Sequence, residues 1–117
     1  MIRKEPPKSY ESEPCSIVAL LCYNGLYDKT LYEYAEQFVS EGYMSLADMT
    51  KVIKEFFIQF KVYKYFKKNI RPFLRQLDFK DKEAIACVEG HYIYIKNNVY
   101  YSFFDNNNDK VVAVWYL

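Results

Sequence analysis

The first half of the chain has apolar residues at the spacing of buried or amphipathic helices. An aliphatic run at positions 17–21 predicts a buried helix that begins near Pro14, a residue type suited to the first helical turn. Capping signals at Thr30 and Ser45 predict two more helices. The charged, proline-containing segment 1–13 predicts an extended arm, so the packed part of the domain is expected to begin after it.

The second half of the chain changes to the alternating pattern of β-strands. Residues 69–77 predict a short helix with Pro72 in its first turn. Asn97 and Asn98 predict a tight turn, because Asn tolerates positive φ. The expected strands are 58–66, 84–88, 91–96, 99–104 and 110–117. Helices followed by strands predict an α+β fold in which N-terminal helices pack on a C-terminal antiparallel sheet.

Length and composition predict one domain that spans residues 1–117 and has its own core. The chain is 51% hydrophobic and 20% aromatic, which is too apolar for a disordered protein. A formal net charge of +1 gives no electrostatic reason to expect nucleic acid or an anionic membrane as the main partner. A peptide or protein substrate or partner is therefore the expectation.

The N-terminus is polar and no apolar run is long enough to cross a bilayer, so neither a signal peptide nor a transmembrane segment is expected. Three cysteines without a dense framework favour a reducing compartment. We therefore expect a cytoplasmic protein of a bacterium or an infected host cell. The wealth of Asn, Lys, Tyr, Ile and Phe is typical of an AT-rich genome, such as that of a phage or virus.

One basic run, residues 61–68, alternates lysines with Tyr63, Tyr65 and Phe66. Basic residues among aromatic residues can form a nucleic-acid surface. A strand with one solvated lysine face explains the same pattern, and it is the interpretation we prefer. The run therefore leaves the expectation of no nucleic-acid partner unchanged.

Two residues carry the candidate chemistry, Cys15 in the first turn of the first predicted helix and His91 at the start of a strand after Gly90. A thiol attacks a carbonyl as a thiolate, so it needs a lowered pKa and a neighbouring imidazole. The helix N-terminus favours an anion, and the pKa of Cys15 is therefore expected to lie below that of a free thiol. Cys22 and Cys87 fall at predicted core positions. One histidine and no CxxC pair give no expectation of a metal, and thiol chemistry needs no cofactor.

The group that orients the imidazole depends on the turn at Asn97–Asn98. A two-residue turn places His91 opposite Phe104, and Asn106 then shares the face of His91. A longer loop or a bulge would instead place Asp105 opposite His91. The register therefore leaves Asp105 and Asn106 as alternatives for the third member of a triad.

Two segments resemble the papain-like cysteine peptidases, and most of all the bacteriocin-processing family that cleaves double-glycine leaders. Residues 14–21 read PCSIVALL, which is similar to the active-site helix of that family, and residues 88–95 read VEGHYIYI, which is similar to its histidine strand. The resemblance covers nearly the whole chain and implies a papain-like fold. It also implies a catalytic Cys15–His91–Asp105 triad, since such enzymes place their aspartate after the next strand.

Two positions depart from the family pattern. Ser16 follows the cysteine where the family usually has Gly. Ser9 stands six residues before Cys15, where the family has a Gln that helps to form the oxyanion hole. The loss of one oxyanion donor typically slows such reactions about a hundredfold or more, and Ser9 would be a weaker donor.

Two functions follow from the sequence. The first is a cysteine peptidase, or a related thiol acyl-transfer enzyme, in which Cys15 is the nucleophile, His91 the base and then the acid, and Asp105 the residue that orients His91. The alternative is a papain-like module without peptidase activity that serves in binding or assembly, as in a phage or virus. The departures at Ser9 and Ser16 favour the alternative, as do 13 tyrosines, a residue type enriched at interfaces.

Overall fold

A computed structural model describes all residues from 1 to 117 and contains three α-helices and six β-strands. The α+β class is confirmed. None of the helices is both long and apolar enough to cross a membrane. The helices are α1 (Cys15–Asn24), α2 (Lys29–Glu36) and α3 (Leu46–Phe56), and the strands are β1 (Ile2–Lys4), β2 (Val62–Tyr65), β3 (Glu83–Val88), β4 (His91–Lys96), β5 (Val99–Tyr101) and β6 (Val111–Tyr116).

The six strands form one sheet in the order β1-β5-β4-β3-β6-β2. All neighbours are antiparallel except β1, which runs parallel to β5. The sheet is therefore mixed, whereas the sequence predicts an antiparallel one. The difference lies in the N-terminal arm: Ile2–Lys4 is extended as expected, but it adds an edge strand to the sheet.

Both faces of the sheet are covered. The three helices pack on one face and form a core with Ile85, Tyr92 and Trp115. On the other face, Phe79 and Leu74 pack against Ala86 and its neighbours. The central strand β3 is therefore buried on both sides, which explains why residues 84–88 are apolar without alternation.

The β4–β5 hairpin has the predicted two-residue turn. Lys96 pairs with Val99, and Asn97 and Asn98 have φ values of 52° and 61°. Positive φ at both central residues is the turn geometry that matches the twist of two antiparallel strands, and Asn accepts it at low cost. The side-chain oxygen of Asn98 also accepts from Phe79 N at 2.5 Å, which fixes the turn to the segment before β3.

The predicted helix at 69–77 is wrong. The segment forms two short 3₁₀ turns, Lys68–Ile70 and Leu74–Gln76, on either side of Pro72. Its backbone pairs with the loop before β6 instead: Leu74 N donates to Asp109 O at 2.9 Å, and Val111 N donates to Pro72 O at 2.8 Å. These long-range bonds satisfy groups that a helix would have used internally.

Candidate thiol site

Cys15 is the first residue of α1, directly after Pro14. No side chain caps this helix. The first N–H groups of a helix have no partner within it, and the N–H groups of Ser16 and of Cys15 act to lower the pKa of the thiol. Pro14 explains why the helix begins at Cys15, because proline is unfavourable inside a helix but is suited to its start.

The sheet contacts the thiol through Tyr92. Its backbone N–H donates to Cys15 Sγ at 3.3 Å. The tyrosine is anchored in turn, because its hydroxyl donates to Met44 O at 2.6 Å and its ring packs 5.9 Å from that of Trp115. Since Tyr92 directly follows His91, the thiol lies against the strand at the candidate histidine. Sequence analysis did not identify Tyr92, since a main-chain donor has no sequence signature.

Cys15 and His91 line the same cleft, which has a volume of about 500 Å³. Gly90 and Gly42 contribute two of its edges, and Ser102–Phe104, after β5, contribute another. Both candidate residues are half-buried. A substrate in this cleft would therefore reach the thiol and the imidazole together.

The imidazole of His91 contacts Phe104. The two ring centroids lie 5.2 Å apart at an interplanar angle of 33°. The pairing of β4 with β5 ends at Tyr94 opposite Tyr101, so the contact between His91 and Phe104 forms beyond the paired part of the hairpin. The structure gives the imidazole no hydrogen bond, so the ring is positioned by packing.

Asp105, the residue that the resemblance assigns as the orienting group, makes its hydrogen bonds elsewhere. It accepts from the Tyr100 hydroxyl at 3.2 Å and from Asn107 N at 3.0 Å. The bond from Asn107 N, followed by that from Tyr100, lowers the pKa of this exposed carboxyl below its usual value. The structure therefore does not join Asp105 to His91 by a hydrogen bond, and the regular turn at Asn97–Asn98 is the reason.

The alternative residue, Asn106, is buried in the loop after β5. Its side-chain oxygen accepts from Ser102 Oγ at 2.6 Å, and its amide group donates to Asp109 Oδ2 at 2.7 Å. Its backbone N–H donates to the Tyr100 hydroxyl at 3.1 Å. Asn106 thus organises the loop that carries Phe104 rather than contacting the imidazole.

The pKa of the Cys15 thiol is raised, which is the opposite of the expected direction. Burial is the largest cause, because it disfavours the thiolate. The N–H groups of Tyr92, Ser16 and Cys15 act in the lowering direction without offsetting it. In this state the thiol is therefore protonated at neutral pH, and a base must remove its proton when it attacks.

The thiols of the two other cysteines are also difficult to deprotonate. Burial raises the pKa of Cys22 to about 11 and that of Cys87 to about 12. Cys87 is buried in the helix-side core on β3, as predicted, and Cys22 is half-buried. Neither lines the cleft.

The serines that depart from the family pattern lie in different environments. Ser9 is exposed in a 3₁₀ turn, Lys8–Tyr10, and does not line the cleft. Ser16 is 1% exposed, and its hydroxyl is the one buried side-chain polar atom without a hydrogen-bond partner. Neither serine hydroxyl therefore makes a hydrogen bond at the thiol.

Comparisons of the chain with protein-family models, with curated proteins and with solved structures find no match. The functional assignment therefore depends on the residues of the cleft and on the resemblance of the two segments that carry Cys15 and His91.

Proposed function

We propose that this chain is a papain-like domain that performs thiol acyl transfer, as a cysteine peptidase does, on a peptide held in the cleft. The observation that carries the proposal is that Cys15, at a helix N-terminus, and His91, at a strand start, line one cleft. Two segments distant in the sequence contribute these two residue types to one cavity, and catalysis by a thiol needs both a nucleophile and a base in one site.

In the proposed reaction His91 acts as a general base during attack, because a thiol with a raised pKa must lose its proton at that step. A ring nitrogen of His91 takes the proton of Cys15 Sγ while sulfur bonds to the carbonyl carbon and the C=O electron pair moves to oxygen. The Cys15 N–H group stabilises that oxyanion. His91 then gives the proton to the leaving amine, and water hydrolyses the S-acyl bond to release the acid and restore the thiol.

A specific set of observations favours the second candidate, a papain-like binding module without turnover. The pKa of Cys15 is raised, His91 has no hydrogen-bonded orienting group, and Ser9 lies outside the cleft. Exposed aromatic rings also supply contact area, including Tyr27, Tyr43 and Tyr65. The cytoplasmic location and the phage or viral origin stay predictions under either candidate.

Reaction with p-nitrophenyl acetate separates the two candidates. An acyl-transfer domain should release p-nitrophenolate in a burst, gain one acetyl group on Cys15 by mass spectrometry and then lose it by hydrolysis. His91→Ala should slow both steps about a hundredfold or more, since general acid–base catalysis contributes about that much. Cys15→Ala should abolish both steps.

Cys15 acetylation that is equally fast in the wild-type protein and in His91→Ala, with a stable acetyl group, would contradict the enzymatic proposal. It would leave the binding module as the function. Glu55→Gln, which removes an exposed carboxylate of α3 outside the cleft, serves as the control for nonspecific effects of altered charge.

A further inference from the structure

A second concave surface of the protein lies away from the thiol cleft, and the two share no lining residue. It has a volume of about 840 Å³ and lies between β2, the residues around the start of β3 and the end of β4. Four lysines from these elements line it: Lys61, Lys64, Lys82 and Lys96. We refer to it as the lysine basin.

The charge of the lysine basin is not neutralised within the chain. Its lining includes two carboxylates, Asp81 and Glu83, against the four lysines. Glu83 accepts a hydrogen bond from the Tyr94 hydroxyl. The ion pairs in the structure, Arg3–Glu5 and Lys29–Glu33, lie elsewhere. Four lysines thus line one basin in a chain whose overall charge is nearly balanced.

The rim of the basin is an unpaired strand edge. β2 is the last strand of the sheet, and all four of its residues are exposed. Phe66 N donates to Val112 O, so by alternation Val62 and Lys64 direct their backbone groups to β6 as well. Tyr63 and Tyr65 consequently direct theirs outward, where an added strand would find them.

We infer that the lysine basin and the free edge of β2 bind an acidic, extended protein segment, which adds a strand to β2. Main-chain hydrogen bonds to Tyr63 and Tyr65 would supply affinity, and carboxylates in the basin would supply specificity. Lysine on an edge strand also discourages pairing with neutral or basic strands, so the same charges select the partner.

The positions of the aromatic rings argue against single-stranded nucleic acid as the occupant. Recognition of unpaired bases uses exposed rings beside a basic groove. The ring of Tyr63 lies on the other face of β2, 5.2 Å from Trp115. Tyr116 is the one aromatic residue of the basin, and it stacks on Phe79 with Lys82 over its ring. No aromatic ring in the basin is free to stack on a base.

A second copy of the chain is also unsuited to the edge of β2, because its own edge strands carry positive charge. Pairing of β2 with β2 would bring lysines into apposition, and the other sheet edge, β1, carries Arg3 and Lys4. Like charges on facing strands destabilise a pair. An acidic segment of a different protein can pair with the free edge of β2 and also complements the charge of the lysines.

The test uses an acetylated, amidated peptide that alternates glutamate with valine and threonine. Calorimetric titration should show binding that weakens with salt, and hydrogen exchange should show new protection of the Tyr63 and Tyr65 amides. Lys64→Glu should weaken binding about tenfold or more, because it replaces an attraction by a repulsion. Lys54→Glu, on the exposed face of α3, is the matched control and should leave binding unchanged.

Three further probes separate the alternatives. The same peptide with lysine in place of glutamate should not bind, and a backbone N-methylated acidic peptide, which cannot pair as a strand, should bind at least about tenfold more weakly. Equal binding of the N-methylated peptide, tighter binding of single-stranded oligothymidylate, self-association through β2, or no binding of the acidic peptide would each overturn the inference. Circular dichroism of each variant verifies that it is folded.

Discussion

Replacement of Asn106 by alanine should destabilise the fold, because its side chain supports the loop that borders the cleft. The substitution removes the bond from Ser102 Oγ, at 2.6 Å, and the bond to the Asp109 carboxylate, at 2.7 Å. Asn106 is 1% exposed and Ser102 is 7% exposed, so water cannot easily replace either bond. A neutral bond contributes about 1 kcal/mol and a bond to a charged group about 1.5–3 kcal/mol, so the expected loss is about 2–4 kcal/mol.

A loss of that size should lower the melting temperature by about 10–20 °C for a domain of this length. Thermal and urea unfolding, followed by circular dichroism, measure it. Asn108→Ala is the matched control: Asn108 is exposed and accepts one bond from Arg75, so the expected change is below about 0.5 kcal/mol. A melting temperature for Asn106→Ala within about 2 °C of the wild-type value would refute the structural role assigned to Asn106.

Two further predictions concern a helix cap and pH. Ser45→Ala should lower the unfolding free energy by about 1 kcal/mol, because Ser45 Oγ accepts from Asp48 N at 3.1 Å at the start of α3. Ser12→Ala, near the start of α1, is the control and should have no effect, since no side chain caps that helix. Urea titrations of both variants check this. Stability should fall as pH rises above about 9, because burial keeps Cys87 protonated in the folded state, with a pKa of about 12, while the unfolded chain releases the proton at lower pH. Cys87→Ala should reduce that slope between about pH 8 and about pH 10 without abolishing it, because burial also raises the pKa of Cys15 and Cys22, and an unchanged slope would contradict the assigned burial effect.

Features set by a few neighbouring residues could be predicted from the sequence. The Asn97–Asn98 turn formed as expected because two adjacent residues that tolerate positive φ decide its geometry. The Ser45 cap formed for the same reason. The second helix starts two residues earlier than its capping box suggested, with Asp28 instead of Thr30 as its cap. Two plausible caps two residues apart cannot be ranked by local pattern alone.

Features that depend on distant parts of the chain were missed. The N-terminal segment forms β1 because it pairs with the edge of β5. Residues 68–76 do not form an α-helix because their backbone groups hydrogen-bond with the chain just before β6 and at its start. The hydrogen bonds of the Asp105 carboxylate were missed for a different reason, since they are local: it accepts from the Tyr100 hydroxyl and from Asn107 N, two residues on, as in an Asx turn.

At the candidate site, too, local features could be predicted from the sequence and features that depend on tertiary packing could not. Local pattern placed Cys15 on a helix N-terminus and His91 on a strand start, and the structure has both elements. The pKa of the thiol depends instead on how deeply the sheet buries it, and only the packing of Tyr92 and its neighbours determines that. A motif therefore predicts which residues are present at a site better than it predicts their protonation.

The reaction of Cys15 with iodoacetamide tests the central claim, a thiol served by His91, most directly. Mass spectrometry of the labelled peptides gives the rate at each cysteine in the wild-type protein and in His91→Ala. The account predicts that Cys15 is labelled faster than Cys22 and Cys87, whose pKa values are about 11 and about 12, and that His91→Ala slows Cys15 alone, by about tenfold or more. Equal Cys15 rates in the two proteins across the pH range would contradict it.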